Sequence, residues 1–236
     1  FKGLPLVIGG IEASLRRFTH NDFWENRLRR SILLDSRADV LFYGMAEKSL
    51  LAFANHLQGG GTLQNLPRIR GTARVHKDIS YLPANEILEL SSHSELCKSK
   101  ESFLNNAIII ERESNPHNAK VLIEECEGRF IVVEKPPLPL STPELDQIYD
   151  LPFERKPHFK YNEKIPAYET IKFSISATRG CFGGCTFCAI TLQQGRDIQS
   201  RSPQSVHREV ESLKKLPSFK GTITDVGGPS ANMYGI

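Results

Sequence analysis

The chain has 236 residues, 39% hydrophobic and 24% charged, a composition typical of globular proteins and not of disordered or fibrous ones. Its formal net charge of +3 is too small to argue for a nucleic-acid partner. No apolar run approaches the ~20 residues that cross a membrane, and the N-terminal residues lack a charged-then-apolar signal pattern. Five cysteines with no mark of secretion point to reduced thiols and a cytoplasmic location.

In chain order, Leu4-Pro5-Leu6-Val7-Ile8 reads as a buried strand ending at Gly9-Gly10, with a helix over Glu12–Arg17. His20 to Arg30 mixes aromatics with arginines. An amphipathic helix with a solvated basic face is the simple reading, and a nucleotide or nucleic-acid surface the sharper one. Trp24, the sole tryptophan, is expected in the core or at an interface. Asp39–Gly44 is a continuous apolar strand, and Glu47–Leu57 a helix with Leu50, Leu51, Ala54 and Leu57 at core spacing, ended by Gly59-Gly60-Gly61. Strand alternating with helix predicts a parallel, doubly wound sheet. Residues 62–77, with Arg68, Arg70 and Arg74, form its last strand or loop around Ile69-Arg70-Gly71. Asn85–Leu96 and Lys98–Arg112 read as helices, with Cys97 a bystander thiol between them. Lys120–Glu124 and Arg129–Glu134 flank a short Gly-bearing turn and form a β-hairpin, in which Cys126 is a weak ligand candidate. Prolines recurring from 136 to 166 predict an extended connector of low helical potential. None of the seven histidines has ligand spacing; His20, His56 and His76 read as surface or capping residues.

The densest chemistry lies in Gly180-Cys181-Phe182-Gly183-Gly184-Cys185-Thr186-Phe187-Cys188. Three cysteines at C-x3-C-x2-C spacing among glycines read as metal ligands, because thiolates supply the charge and glycines let the backbone fold tightly. Structural zinc wants four ligands, usually in two separated pairs, so a zinc loop needs a distant partner such as His207, Cys97 or Cys126. A cubane iron–sulfur cluster also normally takes four thiolates. Three leave one iron open, as a reactive centre requires. A plain electron-transfer cluster lacks its nearby fourth cysteine, and a disulfide between such close cysteines is poor geometry. Before the loop, Ile171–Ala177 alternates like a strand. After it, Ser202-Pro203 opens a helix carrying Val206, Val210 and Leu213 on one face. Gly221–Val226 then reads as a second strand running into Gly227-Gly228-Pro229. This is a βαβ unit with both loops at the carboxyl ends of strands, where α/β barrels keep their chemistry.

C-x3-C-x2-C with an aromatic before the third cysteine resembles the radical SAM signature. The resemblance implies that Cys181, Cys185 and Cys188 hold a 4Fe-4S cluster and that S-adenosylmethionine binds the open iron. It implies that Phe187 meets the adenine edge through its backbone, and that Gly227 and Gly228 meet the methionine end. Pro229 stands where that superfamily often has Glu. A flavodoxin- or ferredoxin-type electron donor and an unidentified substrate are implied partners. Val-Ile-Gly-Gly and Ala-Asp-Val-Leu-Phe-Tyr-Gly-Met-Ala-Glu resemble later strands of the cobalamin-binding-like domain that precedes many radical SAM barrels, although the Asp-x-His-x-x-Gly cobalamin turn is absent. Together with Gly-Gly-Ile-Glu-Ala-Ser-Leu-Arg-Arg, Arg-Arg-Ser-Ile-Leu-Leu-Asp-Ser and Thr-Arg-Gly-Cys-Phe-Gly-Gly-Cys-Thr-Phe-Cys, they resemble the central part of the YgiQ-type radical SAM proteins. The implied fold is α/β. It has a partial Rossmann-type, cobalamin-binding-like domain over 1–80, a helical and hairpin insertion with a Pro-rich connector over 81–165, and the start of a radical SAM partial TIM barrel over 166–236. The chain then reads as an internal piece of a longer protein, poorly stable alone. Methylation or methylthiolation are candidate reactions; the latter needs a second cluster, for which isolated Cys97 and Cys126 give no support. The rival is a zinc-stabilised interaction module whose Arg27–Arg30 and Arg68–Arg74 stretches bind RNA or a partner.

Overall fold

A computed structural model describes residues 3–236. The chain forms two compact units, Phe1–Leu138 with Leu192–Gly195, and Pro139–Thr191 with Arg196–Ile236.

The first unit is α/β. Its elements are β1 (Val7–Ile8), α1 (Gly10–Leu15), β2 (His20–Asp22), β3 (Arg27–Arg29), α2 (Ile32–Ser36), β4 (Val40–Phe42), α3 (Glu47–Gln58), β5 (Thr72–His76), β6 (Ile87–Glu89), α4 (His93–Leu96), α5 (Lys100–Arg112), β7 (Val121–Cys126) and β8 (Arg129–Val133). Six strands make one sheet in the order β1-β4-β5-β8-β7-β6. The expected all-parallel sheet is corrected here. β1·β4 and β6·β7 are parallel, but β4·β5, β5·β8 and β7·β8 are antiparallel. β8 returns directly from β7 through a two-residue turn, Glu127-Gly128, in which both residues have positive φ (55° and 71°), the turn that matches strand twist.

Period-two alternation sorts the sheet's side chains onto two faces. Leu41, Leu122, Cys126, Ile131 and Val133 join Ala13, Phe18, Leu33 and Leu34 in one core. On the other side Val40 and Phe42 pack with Phe53 of α3, and Val121, Ile123 and Val132 with Leu82. Glu124 falls between Leu122 and Cys126 in this alternation and is fully buried.

Several local expectations are revised. Leu4 and Leu6 are exposed, so the first strand is a short sheet edge and not a buried element. Residues 20–30 form a hairpin instead of a helix. Asp22 Oδ1 accepts from the Trp24 and Glu25 amides, and Asn26 takes φ 49°, side-chain turn chemistry that outcompetes helix. Trp24, at the tip, is 87% exposed, so it is no core residue. Within 85–96, Ile87–Glu89 pairs with β7, and helix starts only after Ser92, whose hydroxyl and amide form a capping box with Glu95. The Pro-rich connector is partly helical, as described next.

The second unit contains α6 (Thr142–Tyr149), α7 (Pro166–Ile171), β9 (Ser174–Ser176), β10 (Thr178–Arg179), α8 (Ile190–Gln194, whose last residues group with the first unit), β11 (Gln199–Ser200), α9 (Pro203–Lys214) and β12 (Asp225–Gly227). Proline at the first turn of α6 and α7 suits a helix start, and Glu144 accepts from Ser141 N and Oγ ahead of α6. β9 and β12 pair in parallel, and α9 packs Leu213 onto Phe173 and Ile175. Among the described residues no helix is long and apolar enough to cross a membrane.

Candidate metal centre

The cysteine loop grows from the end of β9. β10 and β11 pair antiparallel, Thr178 opposite Ser200 and Arg179 opposite Gln199, so the two ends of the loop are clasped at its base. Gly180 sits directly above the clasp with φ +87°, and a Cβ there would lie 2.0 Å from the Asp197 carbonyl oxygen. Only glycine fits. The sequence reading passed over Gly180 as a constraint; its place between Arg179 and Cys181 was the available signal.

Cys185 is exposed; Cys181 and Cys188 are half-buried. The Gly183 amide donates to Cys181 Sγ (3.4 Å), and the Cys188 amide to the Cys185 carbonyl (3.0 Å). A Cβ on Gly183 would lie 3.4 Å from Cys181 Sγ and 3.9 Å from Cys185 Sγ. Both sulfurs thus flank Gly183, at ordinary van der Waals distance from its Cβ position. Cys188 is not gathered to the same point: among the described residues no three His, Cys, Asp or Glu side chains are close enough to hold a metal ion. Gly184 takes φ +62°, and its Cβ position lies 3.1 Å from Arg196 Nη1, so a guanidinium flanks the loop. The donor set, thiols on a glycine-bearing loop with a cation beside it, fits an anionic thiolate-ligated centre.

The proposed cofactor-contact residues divide. Phe187 is 90% exposed. Gly227 ends β12, where its carbonyl accepts from the Ala177 amide (2.6 Å). Gly228 is not simply open to a ligand, because a Cβ there would lie 1.8 Å from Thr178 Oγ1. The glycine pair is thus packed onto the strand that leads into the cysteines, a contact between sequence-distant residues that spacing alone cannot reveal. Gly227 and Gly228 line a cavity of about 1060 Å³ within this unit, together with Asp225, His207, Asn232 and Tyr234.

Arg201, also unanticipated, anchors the base of the site. It is buried, and its guanidinium donates to Ser176 O (2.9 Å), Ser205 O (3.0 Å), Ser205 Oγ (2.9 Å) and the Glu209 carboxylate, while lying 4.1 Å from the centre of the Tyr149 ring. Arg155 pairs with the same Glu209. Asp146 accepts from Ser202 N and Oγ at the start of α9. The clasp, β9 and α9 are joined by charge-assisted hydrogen bonds that need no cysteine.

The alternative ligands are accounted for in other ways. Cys126 is buried in the first unit's core, and burial pushes its thiol up to about 11. Cys97 lies against His93, and His207 is mostly exposed on α9. Most arginines of the two basic stretches are engaged in intramolecular pairs. Arg27 pairs with Glu25, Arg29 with Glu25 and Asp22, and Arg30 with Asp35 and Glu127. Arg68 pairs with Glu134 and Glu86, and Arg70 and Arg74 donate to loop carbonyls.

The model of the family described as Radical SAM N-terminal matches residues 1–174, well over half of the chain. The protein belongs to the radical SAM superfamily, through this N-terminal family. It is 46% identical over 236 residues to the UPF0313 protein of Geobacter sulfurreducens, covering 100% of this chain and 39% of that relative. It is 45% identical to the UPF0313 protein of Methanocella arvoryzae over 99% of this chain and 39% of the relative. Against that of Bradyrhizobium diazoefficiens it is 44% identical, over 99% and 38%. The chain thus spans about two-fifths of the length of these relatives. The matched family region ends at Ser174, the first residue of β9, before the cysteine loop.

Proposed function

We propose that the protein is an iron–sulfur enzyme in which Cys181, Cys185 and Cys188 hold a 4Fe-4S cluster and the cavity beside Gly227 and Gly228 receives S-adenosylmethionine. Held by Cys181, Cys185 and Cys188, such a cluster would supply the electron for reductive cleavage of the sulfonium to a 5′-deoxyadenosyl radical. This chain's own residues clasp, position and shield. β10 and β11 hold the loop ends together, the Cys181 and Cys185 sulfurs flank Gly183, and Gly228 seats β12 against Thr178. In this reading Phe187 contributes backbone contacts to the adenine, a flavodoxin- or ferredoxin-type protein supplies the electron, and the parallel β9–α9–β12 unit over residues 166–236 begins an α/β barrel. The chemistry belongs to the cofactor, the orientation to the protein.

The observation that carries the proposal is that the Cys181 and Cys185 sulfurs both flank Gly183 on a loop pinned at its base. A zinc-stabilised nucleic-acid module draws less support, because its two basic stretches are already paired with carboxylates or loop carbonyls. The test is anaerobic reconstitution of the full-length protein with iron and sulfide, then reduction in the presence of S-adenosylmethionine. Charge-transfer absorbance and 5′-deoxyadenosine are expected, both lost in Cys185→Ala. Zinc uptake with no iron binding overturns the proposal.

A further inference from the structure

A second group of reactive side chains lies in the first unit, remote in sequence from the cysteine loop. Cys97, exposed at the end of α4, places Sγ 3.7 Å from His93 Nε2, one helical turn earlier. The other ring nitrogen, Nδ1, lies 2.9 Å from Thr19 Oγ1. Thr19 is buried and donates its hydroxyl proton to Glu124 Oε1 (2.8 Å), while its amide donates to both carboxylate oxygens (2.9 and 3.1 Å). Glu124 is itself fully buried in the sheet.

Above about pH 7, where Glu124 is ionised, counting protons assigns the imidazole. The Thr19 hydroxyl has one proton, and Glu124 receives it. Its oxygen therefore accepts from His93 Nδ1–H, which leaves Nε2 with the lone pair, facing the Cys97 thiol. A nucleophile within reach of a base, with that base oriented by a third, immobilised group, is the arrangement that activates a thiol. Three sequence-distant elements, the segment before β2, α4 and β7, meet to build it, and a carboxylate is buried to orient the relay.

We propose that Cys97 is a nucleophilic thiol, with His93 as its general base and Thr19 and Glu124 as positioning residues, and that its partner is a small disulfide. The thiol proton passes to His93 Nε2 and the sulfur attacks one disulfide sulfur. A new S–S bond forms as the old one breaks, and the leaving thiolate takes the proton back from His93. Cys97 is oxidised and the departing half reduced, so atoms and electrons balance.

The test uses the full-length protein and hydroxyethyl disulfide as the probe. After an acid quench and tryptic digestion, the peptide Asp78–Lys98 contains Cys97 as its sole cysteine, so its mass reports this site alone. An ordinary thiol is only a few per cent ionised at neutral pH, so removing the base should slow modification by roughly tenfold in His93→Gln. Thr19→Val should slow it too, while Thr19→Ser, which keeps the hydroxyl, should restore the rate; a purely structural role for Thr19 would not sort these two. His93 is only half-buried, so His93→Gln keeps the test decisive should Thr19→Val fail to fold. Equal rates in wild type and folded His93→Gln, or no modification of Cys97 in wild type, overturn the proposal.

Discussion

Replacing Gly180 by alanine tests whether the clasp at the base of the cysteine loop is as tight as its geometry indicates. The Cβ would lie 2.0 Å from the Asp197 carbonyl oxygen, 1.0 Å inside the 3.0 Å that such contacts essentially never breach. The obstacle is backbone, so no rotamer relieves it. The left-handed conformation at φ +87° adds about 1–2 kcal/mol for any residue with a Cβ, and the overlap adds about 1–3 kcal/mol as a typical cost of overpacking. Gly221 separates the two terms. It lies in the same unit with φ +88° and nothing within 4 Å of its Cβ position, so Gly221→Ala carries the conformational cost alone. Amide hydrogen exchange over residues 178–201 reads the local opening. In Gly180→Ala the two costs sum to about 2–5 kcal/mol, so exchange there should speed at least about 30-fold, since ~1.4 kcal/mol is tenfold, and Gly221→Ala should leave that segment unchanged. Wild-type exchange in Gly180→Ala would refute the clasp.

Other outcomes follow from the packing. Arg201→Met removes a buried guanidinium and leaves Ser176 O without its donor, while Arg155 still pairs with Glu209, so it should cost about 1–3 kcal/mol in denaturant unfolding; no measurable loss would contradict the network. Burial raises Glu124 from its usual 4.5 to about 7 against the opposing hydrogen bonds from Thr19. A raised acid is most favourable to folding below its unfolded value, so this contribution declines from about pH 4.5 and is gone just above 7. That amounts to about 3 kcal/mol at ~1.36 kcal/mol per pKa unit. Urea titrations of wild type and Glu124→Gln at pH 5 and 8 should show the difference, and parallel pH profiles would count against it. Trp24→Ala, at an exposed hairpin tip, should change stability by no more than about 0.5 kcal/mol; a larger loss in thermal melting would mean that Trp24 packs against something.

What could be read in the sequence was what local chemistry decides. The apolar run at Val40–Phe42, the helix over Glu47–Gln58, the hairpin around Glu127-Gly128 and the Ser202-Pro203 helix start all lie where periodicity and turn residues put them, but the core face of α3 does not: Ser49 and Phe53 are buried, while Leu50, Leu51 and Ala54 are exposed. The helix after the cysteine motif was equally legible; of the strand expected over Ile171–Ala177, only Ser174–Ser176 is strand, and Ile171 ends α7. Side chains that bond the backbone were harder: Asp22 makes a hairpin of a stretch that resembles a basic helix, and Ser92 delays a helix that the apolar pattern begins too early. Pairings over long sequence distances were out of reach. Nothing in Thr72–His76 announces that β8 will run antiparallel to it, and no spacing rule predicts that Thr178 occupies the space a side chain at Gly228 would need. The same limit hid the Thr19–Glu124 contact, which joins residues 105 positions apart.

The Arg201 network has a consequence for how a metal could come and go. The groups that hold the loop's base, Ser176, Ser205, Glu209, Tyr149 and the β10–β11 pair, include none of the cysteines. Zinc fingers fold only as they load, because their ligands are also their scaffold. If the cysteines hold a cluster as proposed, scaffold and ligands are separate sets of residues, so chelation should strip the centre and leave the helical and sheet circular dichroism of the second unit intact. Assembly and repair of the centre then become events on a folded protein, and loss of the metal need not commit the chain to unfolding or degradation.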